Sequence, residues 1–202
     1  MLDKSVEFID VLMHRKAGTP FKRYPLPEGY AFRLFSPGDE AAWAAIETSV
    51  LEFENDINAL LYFQRERMPY VEELVRRCLF IENASGEKVA TASAWWDYTG
   101  MRRDPWLHWV AVKPGEQGKG LGKAIVGEAL YLITQIEGDR DVYLHTQTWS
   151  HKAVELYEKA GFAVSWEPWL GQYRNDRCLE AVTLLNSLRR IHGRPKMGEK
   201  NE

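Results

Sequence analysis

Apolar and polar positions along the chain keep two periods, near two and near three and a half, and the switches between them divide it into elements. Ser5 to His14 is apolar-rich and loosely alternating, which predicts a first strand. Gly18-Thr19-Pro20 through Pro25-Leu26-Pro27-Glu28-Gly29 reads as a connector, and Tyr30 to Phe35 alternates as a second strand should. After the turn Ser36-Pro37-Gly38-Asp39, Ala42, Ile46 and Val50 share one helical face with Trp43 beside it. A second helical region runs from about Asp56 to Arg77, interrupted at Pro69. Cys78–Ile81 and Val89–Trp96 flank the turn residues Glu82 to Glu87 and predict a hairpin. Tyr98 to Asp104 is expected as a loop, and Trp106 to Val112 as a strongly apolar strand. From Gly120 to Ile136 apolar residues recur at three- and four-residue steps and predict a long helix. Val142–Thr146 is a strand. Ser150 is expected to cap a helix reaching Ala160, with Gly161 at its C′ position, and Phe162–Trp166 is a further strand. A last apolar stripe at Leu179, Val182, Leu185 and Leu188, from a cap at Asn175, fits a helix better than a strand, and His192 to Glu202 reads as a frayed tail.

Strands and helices interleave without repeats or a dividing linker, so the 202 residues are expected to form one α/β or α+β domain. A chain that is 45% hydrophobic and 27% charged is neither disordered nor fibrous. No window approaches the roughly 18–20 apolar residues of a membrane span, and Met1-Leu2-Asp3-Lys4-Ser5 lacks the basic-then-apolar layout of a secretory signal. A cytoplasmic protein without a membrane partner is expected. Two cysteines, Cys78 and Cys178, are too few for a disulfide framework or a thiolate metal cluster and are expected as buried apolar fillers. With a net charge of −3, no global positive field exists to hold nucleic acid. An anionic ligand must therefore be held by main-chain N–H groups and a helix N-terminus.

Such a place is written between Val110 and Ala124. The strand end Val110-Ala111-Val112 passes through Lys113-Pro114-Gly115-Glu116 into Gln117-Gly118-Lys119-Gly120-Leu121-Gly122-Lys123 and straight into the long helix. Glycines let a diphosphate approach the main chain, free N–H groups at the helix start face it, and Lys119 and Lys123 add charge. The plainer reading is a tight corner. A nucleoside-triphosphate P-loop fails, because Gln117 stands where its first glycine belongs and Ala124 where its Ser or Thr belongs. The dinucleotide fingerprint fails on its last spacing.

Gln117, Gly120 and Gly122 do fit Q-x-x-G-x-G, and here the chain resembles the GNAT superfamily of N-acetyltransferases, in which this turn holds the pyrophosphate of acetyl-CoA. Ser150-His151-Lys152-Ala153-Val154-Glu155-Leu156-Tyr157-Glu158-Lys159-Ala160-Gly161-Phe162 is similar to a second family segment, N-x-x-A-x-x-x-Y-x-x-x-G-F, with Ser150 in place of Asn. The resemblance covers roughly Tyr30 to Trp166. It implies a central mixed, mostly antiparallel sheet flanked by helices, divided as an N-terminal strand and connector (1–29), an acetyltransferase core (30–169) and a C-terminal helix and tail (170–202). The family's expected final strand is hard to find beyond Trp169.

The resemblance implies transfer of an acetyl group from acetyl-CoA to an amine, with Val110, Ala111 and Val112 along the pantetheine arm, residues 117–123 at the pyrophosphate, and Ser150 and Ala153 beside them. It makes Tyr157 the general acid for the departing thiolate; a packed core aromatic would look the same in sequence. No base announces itself. The family's usual Glu would fall at about Trp106, and His108, on the same strand face, is the preferred replacement, with His145, Glu52, Glu54 or a water chain as alternatives. Trp95, Trp96, Trp106, Trp109 and Trp149 either line an acceptor pocket by cation–π contact or fill the core. A small-molecule amine is the expected acceptor, a protein N-terminus or lysine the alternative, and no metal is called for. A non-catalytic acyl-CoA-binding module is the rival from another class, a nucleotide binder without CoA a distant third, and a homodimer is compatible with all of them.

Overall fold

The first strand to form an interior position in the sheet comes from the very beginning of the chain. In the computed structural model, which describes residues 2–191 and 197, the strands are β1 (Asp10–Arg15), β2 (Tyr30–Leu34), β3 (Cys78–Asn83), β4 (Lys88–Thr99), β5 (Arg102–Val112), β6 (Val142–Gln147) and β7 (Ala163–Val164). They make one sheet in the order β2-β3-β4-β5-β6-β1-β7. All neighbours are antiparallel except β5 and β6, which run parallel and meet in register only at Trp106 and Tyr143. Beyond that pair the two strands diverge, and the main chain of β5 from His108 onward has no β6 partner.

The missing final strand is thereby accounted for. β1 lies between β6 and β7, pairing Asp10–Arg15 with Gln147–Val142, so the slot is filled from the N-terminus and the C-terminal residues are free to form a helix. Buried on both faces, β1 reads as a loosely alternating apolar run because an interior strand has no wet side. Only Asp10–Arg15 is strand; Ser5 to Ile9 is not. The 14-residue connector back to β2 must cross five interstrand spacings, about 24 Å, and can span about 46 Å extended. It does so over the long helix α4 (Leu121–Glu137). There the carbonyl oxygen of Lys22 comes within 2.4 Å of where a Cβ on Gly127 would stand, so only glycine admits the crossing.

Helices α1 (Glu40–Ser49), α2 (Asp56–Glu66) and α3 (Val71–Arg77) cover one face of the sheet, while α4, α5 (His151–Lys159) and α6 (Cys178–Ile191) pack on the other. Period-two alternation on β3 divides its side chains accordingly: Leu79 and Ile81 join Ile125 and Ala129, whereas Cys78 and Phe80 join Trp43, Ile46 and Phe63. A short hairpin, β8 (Trp169–Leu170) and β9 (Tyr173–Arg174), closes over Leu12 and Trp106.

Local details differ from the sequence reading. β4 and β5 extend through the expected loop to a turn at Gly100-Met101, because Asp97, Tyr98 and Thr99 pair with Asp104, Arg103 and Arg102. The strand expected at 162–166 is two residues long. Ser150 does not cap α5 with its side chain, and Asn175 precedes α6 without capping it, its amide donating instead to the carbonyls of Ser165 and Glu167 at 2.7 and 2.9 Å. The tail expected from His192 to Glu202 lies outside the described residues apart from Met197. Both cysteines are free and buried. Among the described residues no helix is long and apolar enough to cross a membrane, and no group of three or more His, Cys, Asp or Glu is arranged to hold a metal ion.

Candidate active site

The divergence of β5 from β6 opens the molecule, and two hollows meet there. The first, about 300 Å³, runs along Val110, Ala111 and Val112 to Gln117, Gly118, Leu121 and Gly122, with Ser150, Ala153, Leu156 and Lys152 of the facing segment opposite. Gly118 (φ 81°) and Gly120 (φ 85°) take the left-handed backbone that bends the turn into α4. The first helical bond is Ala124 N–H to the Gly120 carbonyl, so the N–H groups of residues 121–123 stand free at the helix start. Gln117 holds the turn to its strand by donating to the Val112 carbonyl at 2.9 Å. Gly122 is glycine for packing: a Cβ there would stand 3.3 Å from Leu156 of α5.

The two lysines expected to add charge do not face this groove. Lys119 Nζ lies 2.7 Å from Glu116 and 3.1 Å from the Tyr30 hydroxyl, while Lys123 sits over the Tyr24 ring at 4.9 Å. Gly120 shapes the turn without lining the groove, and Lys152, which sequence reasoning passed over, is the cation on its wall. The turn's free N–H groups and open, Cβ-free backbone at Gly118 fit a diphosphate. The unpaired edge of β5 fits an extended amide-bearing arm such as pantetheine.

The second hollow is a cleft of about 490 Å³ between α1, α2, the ends of β4 and β5, and the β8–β9 hairpin. Glu52, Val110, Ser150 and Ala153 border both hollows, so this is where they join. Tyr157 faces the cleft from α5 and is 6% exposed. Burial, reinforced by Glu47 and Glu52, holds its phenol well above the usual range, so it keeps its proton. Glu52 is open to the cleft's water and accepts from Gln147 Nε2 at 3.2 Å. Enclosure by the cleft walls raises its carboxyl above the ordinary value.

A bulge in β5 shapes the junction. Thr91 pairs with Ala111 but Ser93 with His108, which leaves one extra residue on β5. Trp109 there has φ 51°, a conformation that costs an aromatic residue energy and must be held in place. Trp43, Phe53 and Tyr62 surround its ring with centroids 5.2, 5.6 and 5.1 Å away.

His108 lies in the cleft, but its geometry is not that of a base. Arg67 Nη2 is 3.0 Å from His108 Nδ1, and since a guanidinium only donates, Nδ1 accepts and the neutral ring carries its proton on Nε2. Burial, then Arg67 and His145, push the imidazole well below its ordinary pKa. The lone pair a base needs is already engaged. His145 Nε2 is engaged as well, 2.7 Å from Asp10, and its ring stacks on Tyr173. Glu54 does not border the cleft, and the position expected for the family's Glu is a fully buried core tryptophan, Trp106.

The tryptophans divide between the two readings. Trp95, Trp96 and Trp109 line the cleft, Trp106 is core, and Trp149 packs on Phe8 with its indole N–H bonded to the Val6 carbonyl. Trp95 and Trp96 are adjacent on β4, where side chains alternate between faces, yet their rings stack with centroids 4.4 Å apart.

Two site residues escaped the sequence reading. Glu47, 1% exposed, projects from the buried stripe of α1 with Oε1 unpartnered. A carboxylate one turn after Trp43 and next to Ile46 was the available signal. Arg67, at the end of α2, had none.

A strand-to-helix turn with free main-chain N–H groups is joined through a splayed parallel pair to a separate acid-lined cleft, an arrangement with room for two reactants. The chain belongs to the acetyltransferase (GNAT) family, whose model matches residues 43–162. It is 27% identical over 151 residues to the mycothiol acetyltransferase of Streptomyces avermitilis, covering 73% of this chain and 47% of that protein. To the mycothiol acetyltransferase of Saccharomonospora viridis it is 31% identical over 150 residues, covering 68% and 47%. The chain thus spans about half the length of the curated relatives it matches. Among solved structures, a GCN5-related N-acetyltransferase from Sphaerobacter thermophilus superposes with TM-score 0.59 at 26% identity, over 77% of this chain and 48% of that one. Glucosamine-6-phosphate N-acetyltransferase from Arabidopsis thaliana, at 20% identity and TM-score 0.51 over 72% of this chain and 99% of that one, shares the fold.

Proposed function

We propose that the protein transfers the acetyl group of acetyl-CoA directly to the amine of a small molecule. The observation that carries this is the junction of the two hollows at Glu52, Val110, Ser150 and Ala153, with Tyr157 facing the cleft beside it. Relatives named as acetyltransferases of mycothiol, and the fold shared with a glucosamine-6-phosphate acetyltransferase, support a small-molecule acceptor. An open cleft also favours an enzyme over a module that merely holds the coenzyme.

Acetyl-CoA supplies an activated thioester; the chain's own groups do the rest. Residues 121–123 and Gly118 hold the diphosphate by main-chain N–H groups, with Lys152 alongside. The unpaired edge of β5 at Val110–Val112 aligns the pantetheine arm and offers main-chain donors where the thioester oxygen gains charge. Glu52 takes the proton released as the amine's N–C bond forms, its raised pKa bringing it nearer that task and its access to water giving the proton an exit. Tyr157 gives its proton to the sulfur as the C–S bond breaks, and solvent restores it.

Free-thiol release from acetyl-CoA across polyamines, amino acids, aminoglycosides, aryl amines and short peptides tests the reading. Release with one class, strongly reduced in Tyr157→Phe, is expected. Silence across the panel with intact acetyl-CoA binding would favour the module.

A further inference from the structure

Two buried ionisable side chains of opposite type, Arg67 and Glu47, face the acceptor cleft, and neither makes a salt bridge among the described residues. Arg67 is 6% exposed, its guanidinium lies 4.5 Å from the Trp95 ring centre, and its hydrogen-bonding neighbours are uncharged, the His108 nitrogen at 3.0 Å and the Tyr62 hydroxyl. Its Nε is buried without a partner, and among the described residues no carboxylate lies within 4.0 Å of it. Glu47, across the same cleft, has a buried Oε1 that is equally unpartnered. Buried polar atoms are tolerated when they are hydrogen-bonded, so an unpartnered guanidinium nitrogen and an unpartnered carboxyl oxygen facing one cavity describe the ligand that completes them.

We propose that the acceptor is an amino carboxylate, an amino-acid-like zwitterion whose carboxylate pairs with Arg67 and whose amine is turned toward Glu47 and Glu52. This rests on the acetyltransferase reading and adds the chemical class of its substrate. The amine end belongs at the carboxylates because Glu52 borders the groove where the thioester would lie. The anionic end belongs at Arg67, whose planar fork matches a carboxylate with two parallel N–H bonds. A phosphate is disfavoured: Glu47, Glu52, Glu66 and Asp97 line the same cleft, and a dianion would meet four acids with a single guanidinium. Trp95, Tyr70 and Tyr98 offer an aromatic wall to the body of the molecule, which suits an apolar or aromatic side chain.

The test is a set of matched acceptors differing only at the carboxylate: phenylalanine, its methyl ester and phenethylamine, with the corresponding leucine and tryptophan series. Each is assayed by thiol release at saturating acetyl-CoA, and by calorimetric titration into the CoA-bound protein. The free carboxylate is expected to raise kcat/KM by about a hundredfold over ester and decarboxylated amine in at least one series, the range of a charged hydrogen-bonded pair in a dry site. In Arg67→Gln that ratio should fall to near one, and in Arg67→Lys, which keeps the charge but loses the fork, to an intermediate value; unchanged CoA affinity shows that each variant is folded. Ester or decarboxylated amine used as well as the amino acid by the wild type would overturn the proposal while leaving the acetyltransferase reading intact. If no amine is acetylated, calorimetry decides: carboxylate-selective binding abolished in Arg67→Gln keeps the ligand class and refutes the acetyltransferase reading, whereas its absence refutes both.

Discussion

Replacing Glu47 by Gln should stabilise the protein while disabling its cleft, and the size of the gain should depend on pH in a direction the structure dictates. The carboxyl is 1% exposed with Oε1 unpartnered, and burial, then the charge of Glu52, raise its pKa well above 4.5, with Arg67 opposing only in part. Because the folded group holds its proton to higher pH than the unfolded one, its contribution is fully present below about pH 4.5 and is lost as pH rises toward the folded value. The glutamine side chain has no such loss. In that window the wild type therefore falls behind the variant by up to about 1.4 kcal/mol per pH unit. Between pH 5 and 7 this amounts to at most about 3 kcal/mol, or roughly 5–10 °C in Tm for a chain of this size. Glu52 titrates with the same sign but is common to both proteins, so it largely cancels in the difference. Thermal denaturation of both proteins at pH 5, 6 and 7 measures the effect. A Tm difference that stays constant across those pH values would refute the reasoning, as it would mean that the native carboxyl is already ionised and solvated. Acceptor turnover should fall in the same variant.

Tyr157→Phe should lower kcat at least tenfold, the low end of what a positioned acid contributes, and leave acetyl-CoA affinity nearly unchanged in a direct titration. The rise of rate with pH should survive in His108→Gln, whose base nitrogen is occupied by Arg67, and be lost in Glu52→Gln; loss in the histidine variant alone would return the base to position 108. Buried His108 should also charge with difficulty: its lowered pKa contributes stability above about pH 6.5 that is lost as pH falls toward the native value, and His108→Gln should flatten that loss in Tm. Leu12→Ala, at a fully buried position of β1, should cost about 2–5 kcal/mol in denaturant unfolding, because β1 is an interior strand; a cost under about 1 kcal/mol would mean that the segment is peripheral.

Much of the molecule could be read one window at a time. The period-2 alternation of Tyr30–Leu34, the helical stripe of residues 121–137 and the Gln117-to-Gly122 turn are local signals. Each was legible because backbone geometry there is decided by residues a few positions apart. Tyr157 was reached through the resemblance to a family segment, and the structure puts it on α5 facing the cleft. The end of β4 was misread because a strand paired along its whole length tolerates Asp97, Tyr98 and Thr99, which in isolation resemble a loop.

The sequence by itself determined most of the elements and the glycine turn between β5 and α4, since these depend on short-range stereochemistry. Only the tertiary structure decided which strand completes the sheet: pairing of Asp10–Arg15 with Val142–Gln147 joins residues more than a hundred positions apart, and no local pattern encodes that choice. It also decided the chemistry of the side chains. Lys119 faces Glu116 and not the groove, His108 spends its lone pair on Arg67, and Glu47 and Arg67 share a cleft unpaired. A side chain's protonation and partners follow from what long-range packing brings within a few ångströms, so the residues that carry charge at the site had to be seen together before their roles could be assigned.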